Sequence, residues 1–254
     1  MPSRYARISV LLFGLVAFVG ITPRRAWAGT FDVNPVRVEL SEKKGRSAQL
    51  TVTNRGKEAL RLQASVFSWS QTESGEIYLE ETEDIILFPS IITIEPGASR
   101  RIRVGTNADF GPIEKTYRVI VEELPSSKAE PTNGVRILTR VSIPIFVQPK
   151  RPQAAAQIED VRVENGELSF TVRNNGNASF ILHKVDVTAR NAAGEVVFMR
   201  DLAGWYLLAS GRRVYRLPVP PQVCDRRTTL HVEAKGNNGA TAARLSLPEL
   251  RCEG

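Results

Sequence analysis

The chain is poor in the residues that carry chemistry. Its 254 residues include only two cysteines, Cys224 and Cys252, and two histidines, His183 and His231. A protein-held metal centre wants more ligands than these, so neither a metal nor a cofactor is expected. Gly-x-Ser-x-Gly, a phosphate-cradling glycine loop and His-Glu-x-x-His are all missing. The carboxylates of Glu80-Glu81-Thr82-Glu83-Asp84 read as a solvated run, and Glu122-Glu123 as a strand end facing solvent or a local ion pair. His183 sits in an apolar run, Phe180 to His183, and reads as structural. Asn177-Ala178-Ser179 matches a glycosylation triplet, a pattern that arises often by chance. No residue qualifies as catalytic, and an enzyme is not expected. Sustained apolar spacing at i, i+3, i+4 and i+7 is also missing, which argues against a helical protein.

The one uninterrupted apolar stretch lies at the start. Arg4 and Arg7 precede an apolar run from Ile8 to Ile21, and Ala26-Trp27-Ala28 follows as a small-x-small site. That layout predicts a secretory signal peptide over residues 1–28, cleaved after Ala28. The run is shorter than the roughly 20 residues of a membrane-spanning helix, so an uncleaved anchor is the weaker alternative. A soluble, exported product is expected, with no stable membrane insertion. The leader holds four arginines and no acid; without it, 30 Lys+Arg face 27 Asp+Glu. So mild a surplus, with no platform of interleaved basic and aromatic residues, sets nucleic-acid binding aside. In an oxidising compartment Cys224 and Cys252 most simply form one disulfide, tying the C-terminus to an earlier strand.

What the chain does have is strand rhythm. Short runs rich in Val, Ile, Leu and Thr recur at Phe31–Leu40, Ser47–Thr53, Ala59–Trp69, Ile85–Phe88, Ile91–Ile94, Arg101–Val104, Tyr117–Leu124 and Val135–Val147. Turn signals such as Pro96-Gly97 and Asn133-Gly134 separate them. A proline-bearing stretch then interrupts the rhythm, which resumes at Ile158. This predicts an all-β protein of two immunoglobulin-like sandwiches: a first domain over 29–148, a linker over 149–156 and a second domain over 157–254.

The last pair of runs in the first domain is the most informative. In the second of them Val135, Ile137, Val141 and Ile143 share one face, broken only by Thr139, while Arg136, Arg140 and Ser142 point the other way. Such a strand is either an ordinary buried strand or an edge held ready to pair with another chain.

The ordered set Asn34-Pro35-Val36-Arg37-Val38-Glu39-Leu40, Leu50 to Asn54, Leu87 to Gly97, Arg101 to Val104, Tyr117 to Pro125, Arg140 to Val147 and Gly204-Trp205-Tyr206-Leu207-Leu208 resembles the periplasmic pilus-assembly chaperones of the chaperone–usher pathway. The likeness is greatest to the branch whose subunits are of the spore-coat-U type. The resemblance implies two immunoglobulin-like domains set as a boomerang, and a function without nucleotide or cofactor. Such a chaperone lends the last strand of its first domain to an incomplete pilus subunit and hands the complex to an outer-membrane usher. The donor-strand contacts would then be Val135, Ile137, Thr139, Val141 and Ile143, with a shallow or wet pocket for Thr139. The resemblance also implies an anchor for the subunit's C-terminal carboxylate. Arg37 falls on the family's first-strand arginine, but Pro144 stands where better-known members carry a lysine, so Arg118 and Arg140 become candidates for that role. An adhesive or structural two-domain pilus component is the alternative reading. Self-association of the free form would be one way to cover an exposed donor strand.

Overall fold

Alternation of buried and exposed residues organises the whole chain, as in Ser99–Thr106, where Ile102, Val104 and Thr106 are buried and Arg101 and Arg103 are not. The computed structural model describes residues 31–125, 137–224 and 227–246. In the first half, ten strands run in order: β1 (Phe31–Asn34), β2 (Val38–Leu40), β3 (Ser47–Asn54), β4 (Leu60–Gln71), β5 (Ile77–Glu81), β6 (Ile85–Phe88), β7 (Ile91–Ile94), β8 (Ser99–Thr106), β9 (Lys115–Glu123) and β10 (Arg140–Val147). A sheet of order β1-β3-β8-β6 packs on a larger one of order β2-β10-β9-β4-β5, with β7 also paired to β4. Leu50, Val52, Ile102 and Val104 from the first sheet meet Leu62, Val119, Val121, Ile143 and Ile145 from the second to form one core.

The second half holds β11 (Ala156–Glu164), β12 (Glu167–Asn174), β13 (Phe180–Arg190), β14 (Val196–Ala203), β15 (Tyr206–Leu207), β16 (Arg212–Pro218), β17 (Thr229–Gly236) and β18 (Gly239–Ser246). A β11-β12-β16 sheet faces a β14-β13-β17-β18 sheet, on which β15 pairs with β13. The protein is therefore all-β, with two sandwiches, each with its own core. The two repeat one device. Asn54 and Asn174, both fully buried, each spend their amide on nearby carbonyls and accept the N–H of the glycine two residues on. A buried amide with all its partners present fixes the turn that follows.

Two expectations change. The segment Phe31–Leu40 is two strands in different sheets, because Pro35 has no N–H to continue the β1 ladder and the chain crosses over before Val38. β5 carries no apolar alternation, since all five of its residues are exposed, so its sequence gave no signal; Glu80 and Glu81 of the acidic run lie within it. The leader with Ala28, donor residue Val135 and Cys252 lie outside the described residues, and pairing of Cys224 with Cys252 does too. Among the described residues no helix is long and apolar enough to cross a membrane.

Candidate functional site

Strand β10 has two unequal edges. It pairs with β9 along its whole length, from Arg140 opposite Glu122 to Val147 opposite Lys115. On its other side, β2 covers only Ile145, Phe146 and Val147. From Arg140 to Pro144 that edge meets no strand among the described residues. The pairing with β9 extends back to Thr139, whose carbonyl accepts the N–H of Glu123 at 2.9 Å. In an antiparallel ladder the direction of the backbone groups alternates, so those of Arg140, Ser142 and Pro144 face the open edge. Pro144 therefore removes an N–H only where β9 does not need one, which is where a strand tolerates proline.

The aliphatic face of this strand changes character along its length. Ile137 is 83% exposed, Thr139 and Val141 are half-buried, and Ile143 is only 1% exposed. Ile145 and Val147 continue the same face into the core. Ile143 is thus spent on its own domain, Val141 leans on that core, and Ile137 with its neighbour Leu138 projects into solvent.

On the opposite face of the same sheet, Arg118 lies across from Pro144. Its guanidinium stacks 4.0 Å from the ring centroid of Trp69, and Nη1 donates to Ser142 Oγ at 3.2 Å, leaning across β10. The residue is 6% exposed, yet Nε and Nη2 have no hydrogen-bond partner. Those two nitrogens form the side-on fork that grips a carboxylate with two parallel hydrogen bonds. Burial pushes the Arg118 pKa down, with the nearby Tyr206 side chain pulling the other way. A guanidinium stays charged even so, and a buried cation with its fork empty is costly.

Arg37 belongs to the same neighbourhood but is already engaged. Its guanidinium lies 4.1 Å from the Phe146 centroid and 5.7 Å from that of Tyr206, while Nε donates to Glu39 at 3.0 Å. Lys44 also pairs with Glu39. Burial raises the pKa of Glu39, but hydrogen bonds and charge from Lys44 and Arg37 outweigh it, and the carboxyl titrates below its ordinary value. Arg140 stands apart: it is exposed and 3.7 Å from Glu122, four residues along the strand from the Arg118 position. The three arginines are therefore one buried with an empty fork, one shared with a carboxylate and one at the surface.

The residues that hold Arg118 and Arg37 come from both domains. Trp69 is 6.0 Å from Phe146, and Tyr206 is 5.5 Å from each. Tyr206 reaches them because Gly204 lets the chain press on β13, where a Cβ would meet the Leu182 carbonyl at 1.9 Å. Further along the domain boundary, Glu114 accepts the Ser179 N–H and Asn177 donates to the carbonyls of Pro112 and Arg151. The amide of the glycosylation triplet is thus occupied. Burial pushes the Glu114 pKa up, and the bonds from Ser179 offset this only in part. Sequence reasoning missed Trp69 and Phe146 at this site and gave Ser142 no role beyond its face of the strand; nothing in their spacing says which aromatics meet.

Residues 30–153 match the family described as pili and flagellar-assembly chaperone, PapD N-terminal domain. Among solved structures, the chaperone–tip subunit pre-assembly complex CsuC–CsuE from the archaic Csu pili of Acinetobacter baumannii is similar, with a TM-score of 0.58 and 19% identity over 86% of this chain and 99% of the other. The class 5 fimbriae chaperone CfaA gives 0.55 and 15% over 86% and 99%. The Pseudomonas aeruginosa chaperone CupB2 gives 0.52 and 14% over 85% and 100%. At these identities the likeness is one of fold, and it spans both sandwiches. No curated protein sequence matches the chain.

Proposed function

The chain belongs to the pili and flagellar-assembly chaperones through its PapD-type N-terminal domain, and on that premise we propose that it binds pilus subunits by lending them the open half of β10. It works in the periplasm, reached through the leader that ends at Ala28, and passes the subunit to an outer-membrane usher. It is not an enzyme. The subunit's sandwich lacks a strand; β10 supplies one, with main-chain hydrogen bonds along the open edge and side chains filling the subunit's groove. Val135, Ile137, Thr139 and Val141 enter that groove, and Ile143 marks where the lent face passes into the chaperone's own core.

The observation that carries this reading is Arg118: a buried cation whose Nε–Nη2 fork is empty, opposite the residue where the open edge ends. A subunit strand running along β10 finds its last edge N–H at Ser142, since Pro144 offers none. Its C-terminal carboxylate then lies beside Arg118, which pins the register. Arg37, shared with Glu39, is a secondary contact. Arg140 is too distant to share that carboxylate and serves the far end of the strand.

Tagged protein drawn from periplasmic extract should bring down a small exported β-protein in equal stoichiometry, identified by mass spectrometry. Arg118→Ala should lose that partner and Arg140→Ala should keep it. A folded Arg118→Ala protein with full subunit binding would sink the anchor assignment, and no β-protein partner in any pull-down would sink the chaperone reading.

A further inference from the structure

Nε and Nη2 of Arg118 are not alone in lacking a hydrogen-bond partner. Trp69, 3% exposed, presents an indole Nε1–H that is buried and also without a hydrogen-bond acceptor. A buried indole N–H normally finds one, because leaving it unpaired forfeits the hydration it had in the unfolded chain. Here two stacked side chains 4.0 Å apart leave three buried donors unmet: Nε and Nη2 of Arg118 and Nε1 of Trp69. All three are donors, so no exchange of bonds among them could satisfy any; the missing group must be an acceptor. A carboxylate has two oxygens and about four lone-pair sites, enough for the Arg118 fork and a third donor together. A neutral amide has a single acceptor oxygen and two N–H groups of its own, which meet only further donors here.

We propose that Trp69 is the second donor of the carboxylate anchor, taking with its indole N–H the place that Pro144 leaves without a lysine. This rests on the strand-lending reading and deepens it: the group recognised is a chain-terminal carboxylate held by one cation and one neutral donor. The pair is covered in the free protein. Tyr206, reaching over from the second domain, packs edge-on against Trp69 at 5.5 Å and tilted against Phe146 at 5.5 Å. The cover is a contact between domains rather than part of either core. Ser142, on the lent strand itself, holds Nη1 and leaves the Nε–Nη2 side of the guanidinium unpaired. A partner that pairs with β10 therefore arrives at donors already oriented.

The test uses the full mature chain and two synthetic peptides of about a dozen alternating Val and Thr residues, one ending in a free carboxylate and one in an amide. Wild type should prefer the acid. Trp69→Phe keeps an aromatic ring under Arg118 while removing the N–H together with part of the indole, and should reduce the acid-over-amide preference about tenfold, the scale of one hydrogen bond to a charged group. Arg118→Ala should abolish the preference. In a nitrogen-15 spectrum of the unmutated protein, the Trp69 Nε1–H resonance should move downfield with the acid peptide and stay in place with the amide; this reading does not depend on any variant folding. A Trp69 resonance indifferent to the acid, or a Trp69→Phe protein with undiminished preference, overturns the role of Trp69 while leaving Arg118 standing. A preference that survives Arg118→Ala overturns the anchor reading itself.

Discussion

The two halves of strand β10 share one aliphatic face and have opposite fates. From Ile145 to Val147 the strand is held on both edges, by β9 and β2, and Ile145 and Val147, with Ile143 just before them, fill the domain core. From Thr139 to Pro144 it is held on one edge only among the described residues, and Ile137 just before it stands in solvent. Along the aliphatic face nothing in residue type separates Ile137 from Ile143; only the other face changes, from Arg140 and Ser142 to Pro144 and Phe146. The boundary is set by how far the short strand β2 reaches, three residues, and by Pro144, which blunts the edge where β2 stops. One half is scaffold and the other is the part offered to a partner.

The sharpest way to break this division is to truncate each half in turn. Ile145→Ala, in the buried half, should lower unfolding free energy in urea by about 2–5 kcal/mol through lost transfer energy and the cavity left behind. Its effect on subunit binding should follow only from the fraction unfolded. If stability hardly changed, the buried half would not be the scaffold. Arg118→Ala, where the halves meet, should weaken the subunit complex by at least about 30-fold, as removal of a buried charged partner does. Free-protein stability should hold or rise, because an unpaired buried cation goes with it. A clear loss of stability in the free protein would mean that Arg118 serves the fold instead.

Ile137→Ser, in the open half, should leave the urea midpoint within the scatter of surface substitutions, about 0.5 kcal/mol. It should cost the subunit complex roughly 1.5–3 kcal/mol, the transfer energy of one aliphatic side chain. Equal effects on both readouts would erase the distinction between the halves.

The smallest effect concerns the domain boundary that frames the site. Burial holds the Glu114 carboxyl above its ordinary value of 4.5. A raised carboxyl pKa favours the protonated form in the folded state, so its contribution to stability is complete below about pH 4.5 and is lost as pH rises through the raised value. Glu39, lowered by Lys44 and Arg37 against its burial, runs the other way: its contribution is present above 4.5 and lost as pH falls. Glu114→Gln keeps an oxygen for the Ser179 N–H and removes the charge. Thermal melts from pH 4 to 8 should show the variant gaining on wild type as pH rises, and a constant difference would contradict the burial account.

Much of this was legible in the chain. Period-two runs and turn residues specify strands because a half-buried strand needs little else, and two such series separated by prolines specify two sandwiches. The aliphatic face of β10 and the odd presence of Arg118 and Arg140 beside it were also readable. The partition of that face was not, because Ile137 and Ile143 are the same residue type and differ only in what covers them. β5 escaped because an edge strand exposed on both faces has no burial pattern to write into sequence. The aromatic surround of Arg118 escaped for another reason: Trp69, Phe146 and Tyr206 lie far apart along the chain and meet only where two domains touch.

By itself, then, the sequence determined the kind of object: which segments alternate, and hence the strands, the two cores and a basic, aliphatic strand closing the first domain. Those are local properties, settled by the side chains within a few residues of one another. Tertiary structure alone decided which half of β10 stays open and which arginine keeps an empty fork. Both depend on the reach of neighbouring strands and on a domain contact, and the energy of an unpaired donor exists only once water has been excluded from around it.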